Sequence, residues 1–218
     1  MSQQNFAAMR SAMIASQLRT VGVNDQRVLA ALETVARERF VPEARAASAY
    51  VDTAIPLGDG RALNTPLASA RLVNEAKIMP SDHVLLIGAA TGYLAAVLNQ
   101  LAASVVAVES DAALCAVATR ELAGLDRVIL SGAALTEGAP AQAPYDVIVI
   151  DGAVEQLPQA LIDQLKPGGR IATGHIDNGV TRLAVGHKSA GGFGLTAFAD
   201  AACVVLTDFA KPKVFAFS

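Results

Sequence analysis

The chain has 218 residues, of which 53% are hydrophobic and 17% charged, a composition typical of a globular protein and not of a disordered one. A formal net charge of −3 gives no electrostatic reason to expect nucleic acid or an anionic membrane surface as a partner. No apolar run has the length of a membrane span, and residues 1–20 lack a signal-peptide pattern. We therefore expect a cytoplasmic protein. The two cysteines and three histidines show no metal-ligand spacing, so we expect no metal, and we expect the two thiols to be reduced.

The first third of the chain is predicted to be mostly helical. Apolar residues at helical spacing predict an amphipathic helix over residues 3–20, and Asn24 or Asp25 can cap a second helix. The glycines within residues 58–60 predict a turn or a mobile loop. Thr65-Pro66 is typical of a helix start, in which a capping residue precedes a first-turn proline, so a third helix should follow.

Short apolar runs then alternate with helical patterns. Five strands are predicted, at residues 84–87, 105–108, 127–130 and 147–150 and from Ile171 onward. Helices are predicted between them, and the last of these should cover residues 157–165 and end at Pro167-Gly168-Gly169. Strand alternating with helix at this spacing indicates βαβ units, and therefore an α/β fold with a mostly parallel sheet covered by helices.

The helical pattern disappears after His175. Short strands are predicted at residues 183–185, 195–198, 204–206 and 214–217, with turns between them that are rich in glycine or charge. The simplest arrangement of these strands is an antiparallel hairpin that closes one edge of the parallel sheet.

Ligands of an open parallel sheet bind at the carboxyl ends of its strands. The loop Gly88-Ala89-Ala90-Thr91-Gly92 lies at such an end, and its outer glycines let the backbone approach a ligand closely. The same glycines also suit an ordinary tight turn between a strand and a helix. This loop alone does not separate the two interpretations.

Glu109 ends the next predicted strand, where a carboxylate can accept two hydrogen bonds from a ribose diol. The alternative is a carboxylate that caps the following helix beside Asp111. Together, the glycine loop and the carboxylate favour an adenosine-bearing ligand. The loop lacks the Gly-x-x-Gly continuation of the NAD fingerprint, which disfavours a dehydrogenase. The turn at residues 165–170 resembles one that recurs in S-adenosylmethionine-dependent methyltransferases.

Several segments resemble the protein-L-isoaspartate O-methyltransferase family. The resemblance rests on residues 13–19, 37–42, 49–52 and 55–58, ahead of the predicted sheet, and it continues at residues 92–98 and 143–146. It covers nearly the whole chain. It implies a Rossmann-like methyltransferase fold with an antiparallel C-terminal hairpin, S-adenosylmethionine as cofactor, and methyl transfer to the free carboxylate of isoaspartyl residues in damaged proteins.

The resemblance also implies a layout and a set of site residues. We expect a single domain over residues 1–218, with a helical extension and substrate loop at 1–80, a cofactor-binding core at 81–175 and antiparallel strands at 176–218. Asn64 and Thr65 would face the substrate carboxylate, although a helix cap is the alternative for Thr65. The cofactor contacts would be Gly88, Ala90, Gly92, Glu109, Gly132 and Ala133. The loop at residues 57–63 is a hypothetical lid, and a monomer is expected.

Four positions depart from the family pattern. Leu86 stands where an acidic residue is usual, and Ala90 replaces the middle glycine of the loop. Ala133 replaces an aspartate that can reach the adenine amino group, and Asn64 replaces a serine. We expect these changes to weaken cofactor binding about ten- to a hundredfold without abolishing it. Two alternatives stay open: a catalytically silent relative that binds a ligand or a partner protein, and a methyltransferase for another acceptor.

Overall fold

The computed structural model describes residues 5–212, and within them it contains six α-helices and nine strands. The helices are α1 (Phe6–Met13), α2 (Gln26–Thr34), α3 (Pro66–Glu75), α4 (Tyr93–Asn99), α5 (Ala112–Glu121) and α6 (Gln159–Asp163). The strands are β1 (Ile55–Gly58), β2 (Arg61–Leu63), β3 (His83–Ile87), β4 (Ser104–Val108), β5 (Val128–Ser131), β6 (Tyr145–Val154), β7 (Leu165–Asp177), β8 (Val180–Ser189) and β9 (Gly192–Asp200). Seven strands form one sheet in the order β5-β4-β3-β6-β7-β8-β9, and β1 and β2 form a separate hairpin.

The first five strands of that sheet, β5 to β7 in spatial order, pair in parallel. Residues 84–87 at the centre are uninterrupted apolar side chains, and each is 0% exposed. Such a run is stable only where helices cover both faces of the sheet, and one buried apolar cluster lies on each face. The predicted α/β fold with a mostly parallel sheet is therefore confirmed.

The N-terminal helix begins and ends close to the predicted residues but changes its winding. An α-helical stretch at Phe6–Met13 passes into a π turn at Ile14–Leu18 and a 3₁₀ turn at Arg19–Val21. The Ser16 hydroxyl donates a hydrogen bond to the Ala12 carbonyl, a contact by which serine side chains loosen helices. Residues 3 and 4 of the predicted helix lie outside the described residues.

The antiparallel edge is larger than predicted. Strand β7 pairs antiparallel with β8, and β8 pairs antiparallel with β9, so two consecutive hairpins extend the sheet. The segments predicted at residues 183–185 and 195–198 lie inside these longer strands. The strand predicted at residues 214–217 lies outside the described residues.

Three boundary predictions were wrong in this half of the chain. The last helix covers only Gln159–Asp163, because Pro158 precedes its first turn and Leu165 already pairs with Tyr145. The Lys166–Arg170 segment therefore belongs to β7 as an irregular stretch and does not form a turn between helix and strand. Residues 204–206 form no strand but only a single parallel bridge between Ala153 and Val205.

A two-stranded hairpin, β1–β2, contains the turn or loop predicted at residues 58–60 ahead of α3. Ile55 pairs with Leu63, and both side chains are buried, whereas residues 58–60 at the tip are exposed. Gly58, Asp59 and Gly60 all have positive φ values, of 110°, 46° and 75°. Such values require glycine or a tolerant polar residue, so the turn predicted at this tip is confirmed.

Two further expectations concern the whole chain. Within residues 5–212 no helix is long and apolar enough to cross a membrane. Cys115 and Cys203 are both free thiols, and both are half-buried.

Candidate functional site

The loop between β3 and α4 turns sharply at the carboxyl end of the sheet. Gly88 and Gly92 have φ values of 77° and 98°, in the left-handed region that glycine adopts without strain. A side-chain carbon on Gly92 would lie 3.0 Å from the Leu122 side chain, so this glycine also lets α4 start close to the following helix. Both predicted glycines thus have specific conformational reasons to be glycine.

Ala90 is the strained residue of this loop. Its φ is 50°, in the same left-handed region, where a residue with a β-carbon costs about 1–2 kcal/mol. The family's glycine at this position would avoid that cost. The Ala90 backbone N–H points toward the neighbouring strand and donates to Glu109 Oε2 over 2.7 Å.

Glu109 follows β4 and is completely buried. Three backbone N–H groups donate to its carboxylate: Ala90 to Oε2, and Ser110 and Asp111 to Oε1 over 2.9 and 3.0 Å. The cap of α5 is a different residue, Asp111, whose side chain accepts from two backbone N–H groups of the helix. Glu109 is therefore not needed for capping and is held against the glycine loop.

Arg61 completes the ring of donors around Glu109. Its Nη1 donates to Oε1 over 2.5 Å and its Nη2 to Oε2 over 2.8 Å, a bidentate ion pair. Arg61 lies at the start of β2, 48 residues before its partner in sequence. No local pattern in the sequence indicates this contact, and it was not predicted.

The loop after β5 reaches the other side of Glu109. Val108 pairs with Ser131, and the Glu109 N–H donates to the Ser131 carbonyl over 3.1 Å. Gly132 and Ala133, which follow directly, are therefore placed at the same edge of the sheet as the glycine loop. The structure brings together all six residues predicted to contact the cofactor.

Leu86 does not belong to this edge. Its side chain is 0% exposed and packs in the main apolar cluster on one face of the sheet. The position that is usually acidic in the family thus contributes only to the core here.

Asn64 is buried, and all of its hydrogen-bonding capacity is used within the chain. Its Nδ2 donates to Asp151 Oδ1 over 2.9 Å and to Cys203 Sγ over 3.2 Å. Its Oδ1 accepts from the backbone N–H groups of Thr65 and Val204 over 3.0 and 3.1 Å. An amide has two N–H donors and two lone pairs, so no position of Asn64 is left for a substrate in this arrangement.

Thr65 caps α3, as its alternative interpretation predicted. The Thr65 Oγ1 accepts from the Ala68 N–H over 3.1 Å, and Pro66 occupies the first turn. The side chain is buried, and its contact with a substrate stays a prediction.

Asp151 is the acidic residue nearest to Asn64, and sequence reasoning assigned it no role. Its Oδ1 accepts from Asn64 and from Ser69 Oγ, the latter over 2.8 Å. Burial raises the pKa of the Asp151 carboxyl, and these two hydrogen bonds oppose the rise. Because Ile150 pairs with Ile87, Asp151 lies beside Gly88 at the carboxyl end of the sheet.

Arg37 is 0% exposed and contacts the backbone of Asn64. Its Nε and Nη2 donate to the carbonyls of Ala49 and Asn64, and its guanidinium lies 4.6 Å from the Tyr93 ring centre. Nη1 is buried without a partner among the described residues. Burial lowers the pKa of this guanidinium.

These features define a class of protein. A parallel sheet with a glycine loop after its central strand, and a buried carboxylate after the neighbouring strand, is an arrangement that S-adenosylmethionine-dependent methyltransferases share with other proteins that bind adenosine-containing ligands. Residues 9–209 match the family model described as protein-L-isoaspartate(D-aspartate) O-methyltransferase.

Similar sequences and structures lead to the same family. The chain is 40% identical over 167 residues to the protein-L-isoaspartate O-methyltransferase of Methanoculleus marisnigri, covering 74% of each chain. It is 41% identical over 169 residues to that of Koribacter versatilis, covering 76% of each. A solved structure named protein-L-isoaspartate O-methyltransferase superposes with a TM-score of 0.77 at 23% identity, over 90% of this chain and 65% of that one.

A second solved structure, from Plasmodium falciparum and in complex with S-adenosyl-L-homocysteine, has a TM-score of 0.76 at 17% identity. It covers 94% of this chain and 100% of that one. At these identities the two structures establish the fold, and the sequence matches establish the relationship. The chain belongs to the protein-L-isoaspartate(D-aspartate) O-methyltransferase family.

Proposed function

We propose that this chain is an S-adenosylmethionine-dependent methyltransferase that esterifies the free carboxylate of isoaspartyl residues in proteins. The observation that carries the proposal is the buried Glu109 carboxylate, held by three backbone N–H groups beside the glycine loop. A carboxylate with that support is held in position at the edge where a ribose diol binds in such folds. Membership in the family supports the same reaction.

The residues at the carboxyl edge fit the cofactor. We assign Glu109 to the ribose hydroxyls, the backbone of Gly88, Ala90 and Gly92 to close approach of the ligand, and Gly132 and Ala133 to the adenine side. Gly132 is exposed, and a side-chain carbon there would meet only Cys115 Sγ at 3.9 Å, so space is available beside it. When bound, the cofactor supplies an electrophilic methyl group on a sulfonium.

The chain needs no general base for this chemistry, because an acceptor carboxylate is already ionised at neutral pH. Its contribution is alignment of the acceptor oxygen and exclusion of water. We assign Asn64 a positioning role: its amide fixes Asp151 on one side and the backbone of Val204 on the other. Thr65 supports the same corner as the cap of α3.

The finer assignments of partner and place are proposals as well. We infer that the chain acts as a monomer on isoaspartyl-containing proteins in the cytoplasm, in one domain that spans residues 1–218. Two free cysteines, Cys115 and Cys203, support a reducing compartment. The formal net charge of −3 supports a role without nucleic acid.

Titration calorimetry with S-adenosyl-L-homocysteine tests the cofactor assignment. We expect a dissociation constant of about micromolar, which corresponds to about −8 kcal/mol. Glu109→Gln should weaken binding at least about tenfold, because hydrogen bonds to a charged acceptor contribute about 1.5–3 kcal/mol. The matched control is Glu137→Gln, which makes the same change at an exposed position and should leave the affinity unchanged.

The absence of binding by the wild-type protein at millimolar ligand would overturn the proposal in favour of a silent relative. Equal binding by wild type and Glu109→Gln would refute the role given to Glu109. The acceptor is tested separately, with two peptides that differ only in an isoaspartyl or an aspartyl linkage.

A further inference from the structure

We propose that the ion pair between Arg61 and Glu109 is a latch that holds the β1–β2 hairpin over the ribose site and that the cofactor must open. The inference rests on the proposed function, since it takes Glu109 as the ribose acceptor. It adds a residue, Arg61, whose displacement links cofactor binding to the position of the hairpin.

The first argument is the number of donors that a carboxylate can accommodate. Two carboxylate oxygens offer about four lone-pair sites. Glu109 already accepts five hydrogen bonds, three from backbone N–H groups and two from Arg61. The backbone donors are fixed by the chain, whereas the Arg61 donors are on a side chain. A ribose diol therefore gains access to this carboxylate only where Arg61 leaves it.

The second argument is the way in which the hairpin is attached. Its base is anchored by Ile55 and Leu63, which are 2% and 1% exposed, whereas residues 58–60 at the tip are exposed. Apart from the pairing of β1 with β2, the two hydrogen bonds of Arg61 are the only ones within residues 5–212 that join residues 57–61 to the rest of the chain, and Leu57 packs half-buried against the main apolar cluster. Releasing the Arg61 side chain thus removes the hydrogen bonds that hold the exposed residues 58–60 to the sheet, while the base of the hairpin, with Leu57, stays packed.

The third argument is that the ion pair is bidentate but that its two charges are buried and one N–H group of Arg61 has no hydrogen-bond acceptor among the described residues. The Arg61 side chain is 14% exposed and Glu109 is 0% exposed, so both charges have lost most of their water. The Nε of Arg61 is buried and has no partner among the described residues. Removing charges from water offsets much of their attraction, and a ligand that supplies two new hydrogen bonds can compete.

Opening the latch also affects the acceptor side of the site. Strand β2 ends at Leu63, directly before Asn64, and Asn64 is bonded to Asp151. A change in the position of β2 on cofactor binding therefore reaches the corner assigned to the acceptor. We expect the cofactor to bind before the peptide for this reason.

The test compares S-adenosyl-L-homocysteine binding by wild type, Arg61→Gln and Arg61→Met in titration calorimetry. Both variants lose the bidentate pair, and Met keeps the length of the apolar stem without any donor. Glu109 keeps its three backbone donors in each, so the fold should be retained. We expect both variants to bind the ligand about tenfold more tightly than wild type, a change of about 1.4 kcal/mol.

Arg182→Gln is the matched control. Arg182 lies on β8, with three strands between it and β4, and its ion pairs with Asp177 and Asp200 are exposed. Its affinity for the ligand should equal that of wild type. Amide hydrogen exchange gives a second measurement: ligand should raise exchange at residues 57–61 of wild type, whereas in Arg61→Met exchange should already be high without ligand.

The outcomes separate the latch from the proposed function. Equal or weaker binding by both folded Arg61 variants, with normal binding by wild type, overturns the latch and leaves the cofactor assignment intact. Binding by the variants but not by wild type overturns a latch that the cofactor opens, and it also overturns the proposed function of the wild-type chain. No binding by any of these proteins overturns both proposals.

Discussion

The left-handed conformation of Ala90 predicts an unusual response to glycine. Ala90 has φ 50° and is 3% exposed, and Ala95 is an interior residue of α4 that is 0% exposed. Replacing either by glycine removes one buried methyl group, which costs about 0.8 kcal/mol. Either change also adds freedom to the unfolded chain, and in a helix the total propensity loss is about 1 kcal/mol.

The two variants differ in strain. Ala95→Gly should lower the free energy of unfolding by about 2 kcal/mol, the sum of these two terms. Ala90 lies in a loop, so Ala90→Gly loses the methyl group and about 0.4–1 kcal/mol of unfolded-chain entropy but recovers the cost of a β-carbon in the left-handed region, about 1–2 kcal/mol. Its free energy of unfolding should therefore change by less than about 1 kcal/mol. The difference between the variants therefore isolates the strain at Ala90.

Urea denaturation followed by circular dichroism measures both values, provided that the dependence on denaturant stays the same in the three proteins. Equal destabilisation by Ala90→Gly and Ala95→Gly would refute the strain. A larger loss for Ala90→Gly would contradict the assigned backbone conformation of the loop.

Three further predictions follow from burial. Burial raises the pKa values of Tyr50 and Tyr145 to about 12, so the native protein should show little tyrosinate absorbance near pH 10. Tyrosines of the unfolded chain ionise at about pH 10. The free energy of unfolding should therefore fall as the pH rises from about 10 to about 12. Arg37→Ala leaves two buried carbonyls without donors and should lower the free energy of unfolding, measured by chemical denaturation, by at least about 3 kcal/mol. Arg39 is exposed, and Arg39→Ala should change the free energy of unfolding by no more than about 0.5 kcal/mol. Gly152→Ala would place a methyl group 2.6 Å from the Leu206 side chain and should lower the free energy of unfolding by about 1–3 kcal/mol, and the melting temperature with it; an unchanged melting temperature would refute the contact.

Features set by neighbouring residues were predictable from the sequence. Thr65 caps α3 and Asp111 caps α5, because a short polar side chain before a helix bonds to N–H groups only two or three residues away. The parallel sheet was predictable for a similar reason: uninterrupted apolar runs such as residues 84–87 are stable only as strands covered on both faces.

The contacts that complete the site join residues far apart in sequence. Arg61 and Glu109 are separated by 48 residues, and Asn64 and Asp151 by 87. Neither pair leaves a periodic signal, because each depends on how the hairpin and α3 pack against the sheet. Residues 204–206 were predicted to be a strand, but they form only a single bridge to Ala153, and Leu206 packs over Gly152.

The contact of Arg61 with Glu109 was not predictable, because a charged residue in a glycine-rich turn is usually solvated. In the structure Leu86 is part of the core, and the charge that meets Glu109 comes from the hairpin.

The most direct test of the proposed reaction is transfer of a labelled methyl group from S-adenosylmethionine to a peptide that contains one isoaspartyl linkage, with the aspartyl peptide of the same sequence as control. We expect a base-labile methyl ester on the isoaspartyl peptide and a kcat/KM at least about a hundredfold higher than for the control, since the acceptor carboxylate must be aligned with the methyl group. Binding of S-adenosyl-L-homocysteine without methylation of either peptide would contradict the account and indicate another acceptor.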